Sequence, residues 1–298
     1  MNIFRDGIPR WTTLLGLMLG VALPASAQSI LLTAGDFALL GGTAITSTGS
    51  TLIRNGDVGL SPAAESFITG FPPGVITGGA IIATSGTTAQ ARADLITARN
   101  GLTAMAMTTD FTLTPTLGGR TLAPGVYHFD VAADLTGNLT LDAEGQNNVS
   151  WVFQIGTSLT TAALASVTLI NPGSNLGSDV GIFWNAGTTF IFGANNTIMG
   201  NYLAGTSITL GAGSSGSGRA LALAAATLDG NQINAWGGPN APGYAVGSDW
   251  SGGLTYDGSY HVVPSSIPEP AAVLWLTPLG AMGFVLWRRR SARNSVAV

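Results

Sequence analysis

The chain has 298 residues, no cysteine, two histidines and only 9% charged residues, set against 46% hydrophobic residues and 42 glycines. Without cysteine there is no disulfide framework and no thiolate metal site, and two histidines leave metal chemistry little to draw on, so no cofactor is expected. Between the two terminal segments described below, Arg54, Arg92, Arg99, Arg120 and Arg219 face 13 acidic residues, a net of −8 with no lysine; nucleic acid is excluded as a partner, because phosphates need a basic footprint.

At the N-terminus, Arg5 and Arg10 precede WTTLLGLMLGVAL and then Ala25-Ser26-Ala27. A basic region, an apolar core and small residues at the cleavage positions predict a secretory signal peptide over 1–27, the alternative being a buried first helix. The body that follows combines β-branched residues with glycine, asparagine and aspartate turns, which reads as packed β structure rather than disorder. A helical period occurs over 87–107, where Ala91, Leu95, Ala98, Leu102 and Met105 form one apolar stripe and Gln90, Arg92, Asp94 and Arg99 take the other faces. At 1.5 Å per residue this helix is about 30 Å long, enough to span about six strands stacked at ~4.8 Å.

From Thr121 to Ile233 the chain is short β runs. Three of them, AGTTFIFGA from 186, AGTSITLGA from 204 and ALAAATLDG from 222, repeat at a period of eighteen residues, and a weaker copy, IGTSLTTAA, starts at 155 with thirteen extra residues before the next. Short strands at a fixed period predict a solenoid. Alternation then sends Leu159, Thr161, Phe190, Phe192, Ile208, Leu210, Ala226 and Leu228 inward. The opposite parity sends Ser158, Thr160, Thr189, Ile191, Ser207, Thr209, Ala225 and Thr227 outward as two columns of small side chains without charge. Outward threonine is an ordinary exposed strand residue; a face that also avoids lysine, glutamate and arginine suits a repeating solid surface. A second outward face, including Ser166, Thr168, Asn196 and Ser215, competes with it.

Catalysis needs polar groups gathered in one place. Asp130, Asp134, Asp142 and Glu144 are the one local acid cluster and leave open a polysaccharide-cleaving solenoid, although turn positions account for them better. GAGSSGSG (211–218) lacks the lysine of a phosphate loop and reads as a corner, and His128 and His261 stand far apart.

Residues 235–266 are rich in glycine, proline and serine and read as a linker, so that the compact domain is expected over 28–234. The C-terminal segment 267–298 holds Pro268-Glu269-Pro270, the uncharged stretch 271–287 and then Arg288, Arg289 and Arg290. Seventeen nearly uncharged residues sit at the short limit for a span, and the arginines would stay cytoplasmic. This end resembles the PEP-CTERM sorting signal of Gram-negative exopolysaccharide producers. The resemblance implies transient membrane insertion, cleavage by an exosortase-type protease and release to the cell surface or matrix; a permanent anchor is the alternative.

The stretches LLTAGDFALLGGTAITSTGSTLIRNGDVGLSP (31–62), ITGFPPG (68–74), APGVYHF (123–129), WVFQIGTSLTT (151–161), GIFWNAG (181–187) and GRALA (218–222) together resemble the bacterial and fungal ice-binding protein family (DUF3494). The resemblance covers roughly 31–234. It implies a mainly β fold, a discontinuous right-handed parallel β-solenoid of triangular section with one long α-helix packed alongside, and adsorption to ice through one flat face without catalysis. A non-catalytic adhesin for extracellular polysaccharide on the same scaffold is the alternative function.

Overall fold

The computed structural model describes residues 29–112, 114–236 and 248–265. The signal peptide, the 271–287 stretch and the sorting residues Pro268, Glu269, Pro270, Arg288, Arg289 and Arg290 lie outside them. Among the described residues no helix is long and apolar enough to cross a membrane.

The architecture is mainly β, with two large sheets of parallel strands and one long helix. Each turn of chain contributes to three strand columns. One column runs Ala133–Leu135, Leu159–Thr161, Thr189–Phe192, Ser207–Leu210, Ala225–Asp229, Ala44–Thr48 and Ile68–Thr69, every neighbour parallel. The other two columns share the larger sheet because two long strands, Thr197–Ala204 and Ser215–Ala222, turn a corner without breaking. The bends fall at Gly200 and Gly218, whose φ values are 108° and 127°, and a Cβ on Gly218 would lie 2.0 Å from the Gly200 carbonyl oxygen. Only glycine fits such a corner.

Chain order and stacking order differ. The first strands, over residues 37–83, stack on Ser215–Ala222, Ala225–Asp229 and Gln232–Asn234 rather than on the strands that follow them in sequence. The helix Gly86–Ala104 makes this possible by carrying the chain back along the stack. Its nineteen residues rise about 28 Å, close to six strand spacings of ~4.8 Å. Ser85 and Thr88 form a reciprocal capping box at its start.

The apolar stripe faces the sheet as its spacing predicts: Ala91, Leu95, Ala98 and Leu102 form one cluster with Phe37, Leu40, Val126, Val152, Phe183, Leu203 and Leu221. Strands beneath the helix are therefore buried on both sides, which is why FALLG reads as an unbroken apolar run and GIFWNA as one broken only by Asn185, whose amide donates to Arg99 O and Thr103 Oγ1 of the helix. The helix ends three residues earlier than its period suggests, with Met105 as the C-cap. Two polar positions also differ from expectation. Asp94 is buried, accepting hydrogen bonds from the Thr33 backbone N–H and the Gln90 amide, and Arg99 lies half-buried with its Nη2 donating to the Ala186 carbonyl at 2.7 Å. Both lie at the margins of the stripe, where a neighbouring segment supplies the partner that sequence spacing cannot show.

Inside the coils, the aromatic rings of Tyr127, Phe153, Trp184 and Tyr202 stack in register with centroid separations of 5.5, 3.8 and 5.5 Å. Stacked pairs of this kind contribute about 0.5–1.5 kcal/mol each beyond the area they bury. The thirteen extra residues before 186 are accommodated largely by the loop 171–180 between Ser166–Ile170 and Gly181–Ala186, tied down where Asp179 accepts from the Asn148 N–H at 2.8 Å.

The folded body extends past Asn234. Residues 248–265, read from composition as linker, carry an antiparallel pair, Leu254–Tyr256 with Val262–Pro264. Trp250, Leu254 and Val262 are buried, the last two against the helix cluster. The anchor is Arg219, 2% exposed, which donates to Gly35 O, Asn201 Oδ1, Asp249 O and Ser251 Oγ and pairs with the Asp249 carboxylate at 3.3 Å. Glycine-rich composition hid this segment because three well-spaced apolar side chains and one distant arginine hold it.

Candidate functional face

The first strand column presents one side to the interior and the other to solvent. Leu159, Thr161, Phe190, Phe192, Ile208, Leu210, Ala226 and Leu228 are buried, and Ile45 joins them. On the opposite parity, Thr160, Ile191, Thr209 and Thr227 are exposed and Ser158, Thr189, Ser207 and Ala225 half-exposed. The pairing register aligns them. Thr116, Asp134, Thr160, Ile191, Thr209, Thr227, Thr46 and Thr69 occupy one unbroken line, each opposite the next. Thr189, Ser207, Ala225 and Ala44 form a flanking line.

Six of the eight positions in the main line are threonine, spaced one strand apart at ~4.8 Å; the two lines stand two residues apart along the strand, ~6.7 Å. Threonine has a stiff χ1, and a parallel sheet repeats the same environment at each step, so hydroxyls and methyls recur on a two-dimensional net. Ile191, 47% exposed, substitutes a larger branched apolar side chain at one node.

Four members of this face escape a search by the eighteen-residue period: Thr46, Thr69, Thr116 and Asp134. They belong to coils before and after the regular repeats. A usable signal was nonetheless present, since GTAIT (42–46) matches GTSIT (205–209) in pattern although it falls outside the period. The face is also not wholly free of charge. Asp134 stands in the main line, accepting from Thr116 Oγ1 at 3.0 Å, and Asp229 lies at the margin, accepting from Thr48 Oγ1 at 2.9 Å. Each carboxylate is engaged by a neighbouring threonine, at one end and at one edge of the net.

The competing face is less regular. Asn138, Ser166, Thr197, Ser215 and Gln232 follow one another in register, but Leu52 and Val75 continue the line, and Asp142 and Arg54 also stand on that side. Asn196 does not belong to it: the side chain is 1% exposed and turns into the corner, where its Oδ1 accepts from the Ala165 N–H at 2.9 Å. Within this face Ser217 accepts from the Trp250 indole at 2.7 Å, so the 248–265 segment partly covers it.

The acid cluster is dispersed. Asp130 binds His128 Nε2 at 2.9 Å, Asp134 lies on the threonine face, and Asp142 holds the Glu144 N–H and Asn171 on the competing face. His128 is held above its ordinary pKa chiefly by the Asp130 hydrogen bond, with burial opposing. Among the described residues no three histidine, aspartate or glutamate side chains gather as metal ligands. GAGSSGSG is a corner only in its first half; from Ser215 it is strand.

The fold and the face thus define a mainly β protein whose stacked parallel strands carry a registered line of hydroxyl and methyl groups on one side. Residues 39–234 match the family model described as ice-binding-like, and the chain belongs to that family. An ice-binding protein of Nostoc sp. (strain HG1) is 41% identical over 212 residues, covering 70% of this chain and 75% of that protein. Ice-binding protein 1 of Shewanella frigidimarina is 32% identical over 226 residues, covering 66% of this chain and 25% of that protein. Among solved structures, the ice-binding protein of the Antarctic ascomycete Antarctomyces psychrotrophicus superposes with a TM-score of 0.64 at 36% identity, covering 70% of this chain and 98% of that one.

Proposed function

We propose that this protein adsorbs to ice through the face carrying Thr46, Thr69, Ser158, Thr160, Thr189, Ile191, Ser207, Thr209, Ala225 and Thr227, and that it does so without catalysis. The observation that carries the reading is the single registered line of six threonines on a stiff parallel sheet. Each contact with ice is weak, and the sum is favourable because the net is ordered before binding and loses little conformational entropy on contact. The relatives named ice-binding, and the family itself, support ice as the partner. The full fold in this reading is a discontinuous right-handed β-solenoid of triangular section.

Residues 1–27 direct export in the same proposal, and the 267–298 signal leads to exosortase-type processing and a location at the cell surface or in the matrix of a Gram-negative bacterium. Purified protein is expected to concentrate in a slowly growing ice front and to inhibit recrystallisation. Exclusion from ice together with retention on extracellular polysaccharide would replace this reading with the adhesin.

A further inference from the structure

Six polar side chains are buried along the corner where the strands of the threonine face end: Ser47, Thr51, Thr161, Asn196, Ser214 and Asn231. They are linked from coil to coil. Thr161 Oγ1 accepts from the Gly193 N–H at 3.0 Å and from the Asn196 amide, and the Asn196 N–H donates to Ser214 Oγ at 3.1 Å. Ser214 Oγ in turn donates to Gly193 O at 2.9 Å. Asn231 Nδ2 donates to Gly211 O at 2.8 Å and to Ser214 O at 3.3 Å, while its Oδ1 accepts from the Asp229 N–H at 2.6 Å. The ladder closes onto the first coils, where the Asn231 N–H reaches Thr51 Oγ1 at 3.3 Å and Ser47 Oγ donates to Thr51 Oγ1 at 2.8 Å.

The placement of these bonds is selective. Gly193, Gly211 and Asp229 are the residues at or just past the ends of Thr189–Phe192, Ser207–Leu210 and Ala225–Asp229, the strands that bear Ile191, Thr209 and Thr227. Apolar burial is non-directional, whereas buried hydrogen bonds are directional and leave an unsatisfied group if a coil shifts. The ladder also joins the discontinuity between the last repeats and the strand Ala44–Thr48 that supplies Thr46.

We infer that this buried ladder, with Thr161, Ser214, Asn231 and Thr51 as positioning residues, sets the coil-to-coil alignment of the threonine net and thereby its fit to ice. The inference rests on the ice-adsorption reading. Thr161→Val keeps the shape of the side chain and removes the hydroxyl, while Thr161→Ser keeps the hydroxyl. Leu221→Ala, beneath the helix and remote from the corner, serves as a variant that lowers thermal stability without touching the ladder.

The protein and these three variants are compared near 0 °C, where all are folded by circular dichroism, for recrystallisation inhibition and for the amide chemical shifts of Thr209 and Thr227. Thr161→Val is expected to need on the order of tenfold more protein for the same inhibition, since sites displaced by about 0.5 Å lose their preorganisation. It should also move the amide shifts of the neighbouring coils. Thr161→Ser and Leu221→Ala should retain inhibition, the latter despite a lower Tm. Inhibition by Thr161→Val equal to that of Leu221→Ala, with unmoved shifts, overturns the inference. Failure of the unaltered protein to inhibit overturns the ice reading instead, and the shifts alone then decide whether the ladder aligns the net.

Discussion

Arg219→Met isolates what holds the C-terminal segment to the coils. The methionine keeps most of the apolar stem, while five hydrogen-bonding contacts disappear, to Gly35 O at 2.7 Å, Asp249 O at 2.8 Å, Asn201 Oδ1 at 3.1 Å, Ser251 Oγ at 3.2 Å and Asp249 Oδ2 at 3.3 Å. Burial pulls the guanidinium below its ordinary pKa and Asp249 offsets part of that, so the charge is kept in the interior by its acceptors. Removing one partner of a buried charged network costs about 3–5 kcal/mol, and the lower end applies because the Asp249 side chain is 32% exposed and water can replace part of what is lost. For a domain of this size, ~3 kcal/mol corresponds to a fall in Tm of about 6–12 °C. Asp249→Asn should cost far less, about 1 kcal/mol or under, because four of the five contacts survive and a half-exposed ion pair contributes little. Differential scanning calorimetry gives both values, and limited proteolysis should cut Arg219→Met first between 248 and 265. A smaller loss for Arg219→Met than for Asp249→Asn would refute the role assigned to the arginine.

Three further outcomes follow from other parts of the fold. His128 sits between two acceptors, Gln154 Oε1 at 3.2 Å and Asp130 Oδ1 at 2.9 Å, because Gln154 Nε2 is committed to Leu102 O and Met105 O at the helix end. Its folded pKa is raised, so the stabilisation is complete below the unfolded value of about 6.5 and fades as pH rises through the folded value; a Tm-against-pH series should show this fall, and His128→Gln should flatten it. Ser85→Ala removes the helix cap and should cost about 1 kcal/mol, read as a lower midpoint in urea. Gly218→Ala would place a Cβ 2.0 Å from the Gly200 carbonyl oxygen, and no soluble folded protein is expected on expression.

Much of the fold was legible because its determinants are periodic. The eighteen-residue repeat sets the coils, strand alternation sets which threonines point outward, and the stripe from Ala91 to Leu102 sets the face the helix buries. What escaped depends on contacts between distant segments. Asp94 is buried because the Thr33 N–H meets it from sixty-one residues away, and Asn196 turns inward because the Ala165 N–H needs an acceptor. Thr46 and Thr69 join the main line only because the chain doubles back, placing the strand Ala44–Thr48 beside Ala225–Asp229. Neither composition nor a local period records that step. The 248–265 segment shows the same limit, since its glycines suggest a linker and its order comes from Arg219, Trp250 and the helix.

Two charged substitutions on each outward face decide where ice is met. Thr209→Arg with Thr227→Arg places bulk and charge in the middle of the threonine line, and Thr168→Arg with Ser215→Arg does the same on the competing face; all four sites are solvent-facing on strands. Ice-affinity partitioning of fluorescently labelled protein should show the unaltered chain and the Thr168/Ser215 variant entering the ice, and the Thr209/Thr227 variant left in the liquid. Partitioning in which the Thr209/Thr227 variant enters ice as well as the unaltered chain would contradict the assignment of the threonine face.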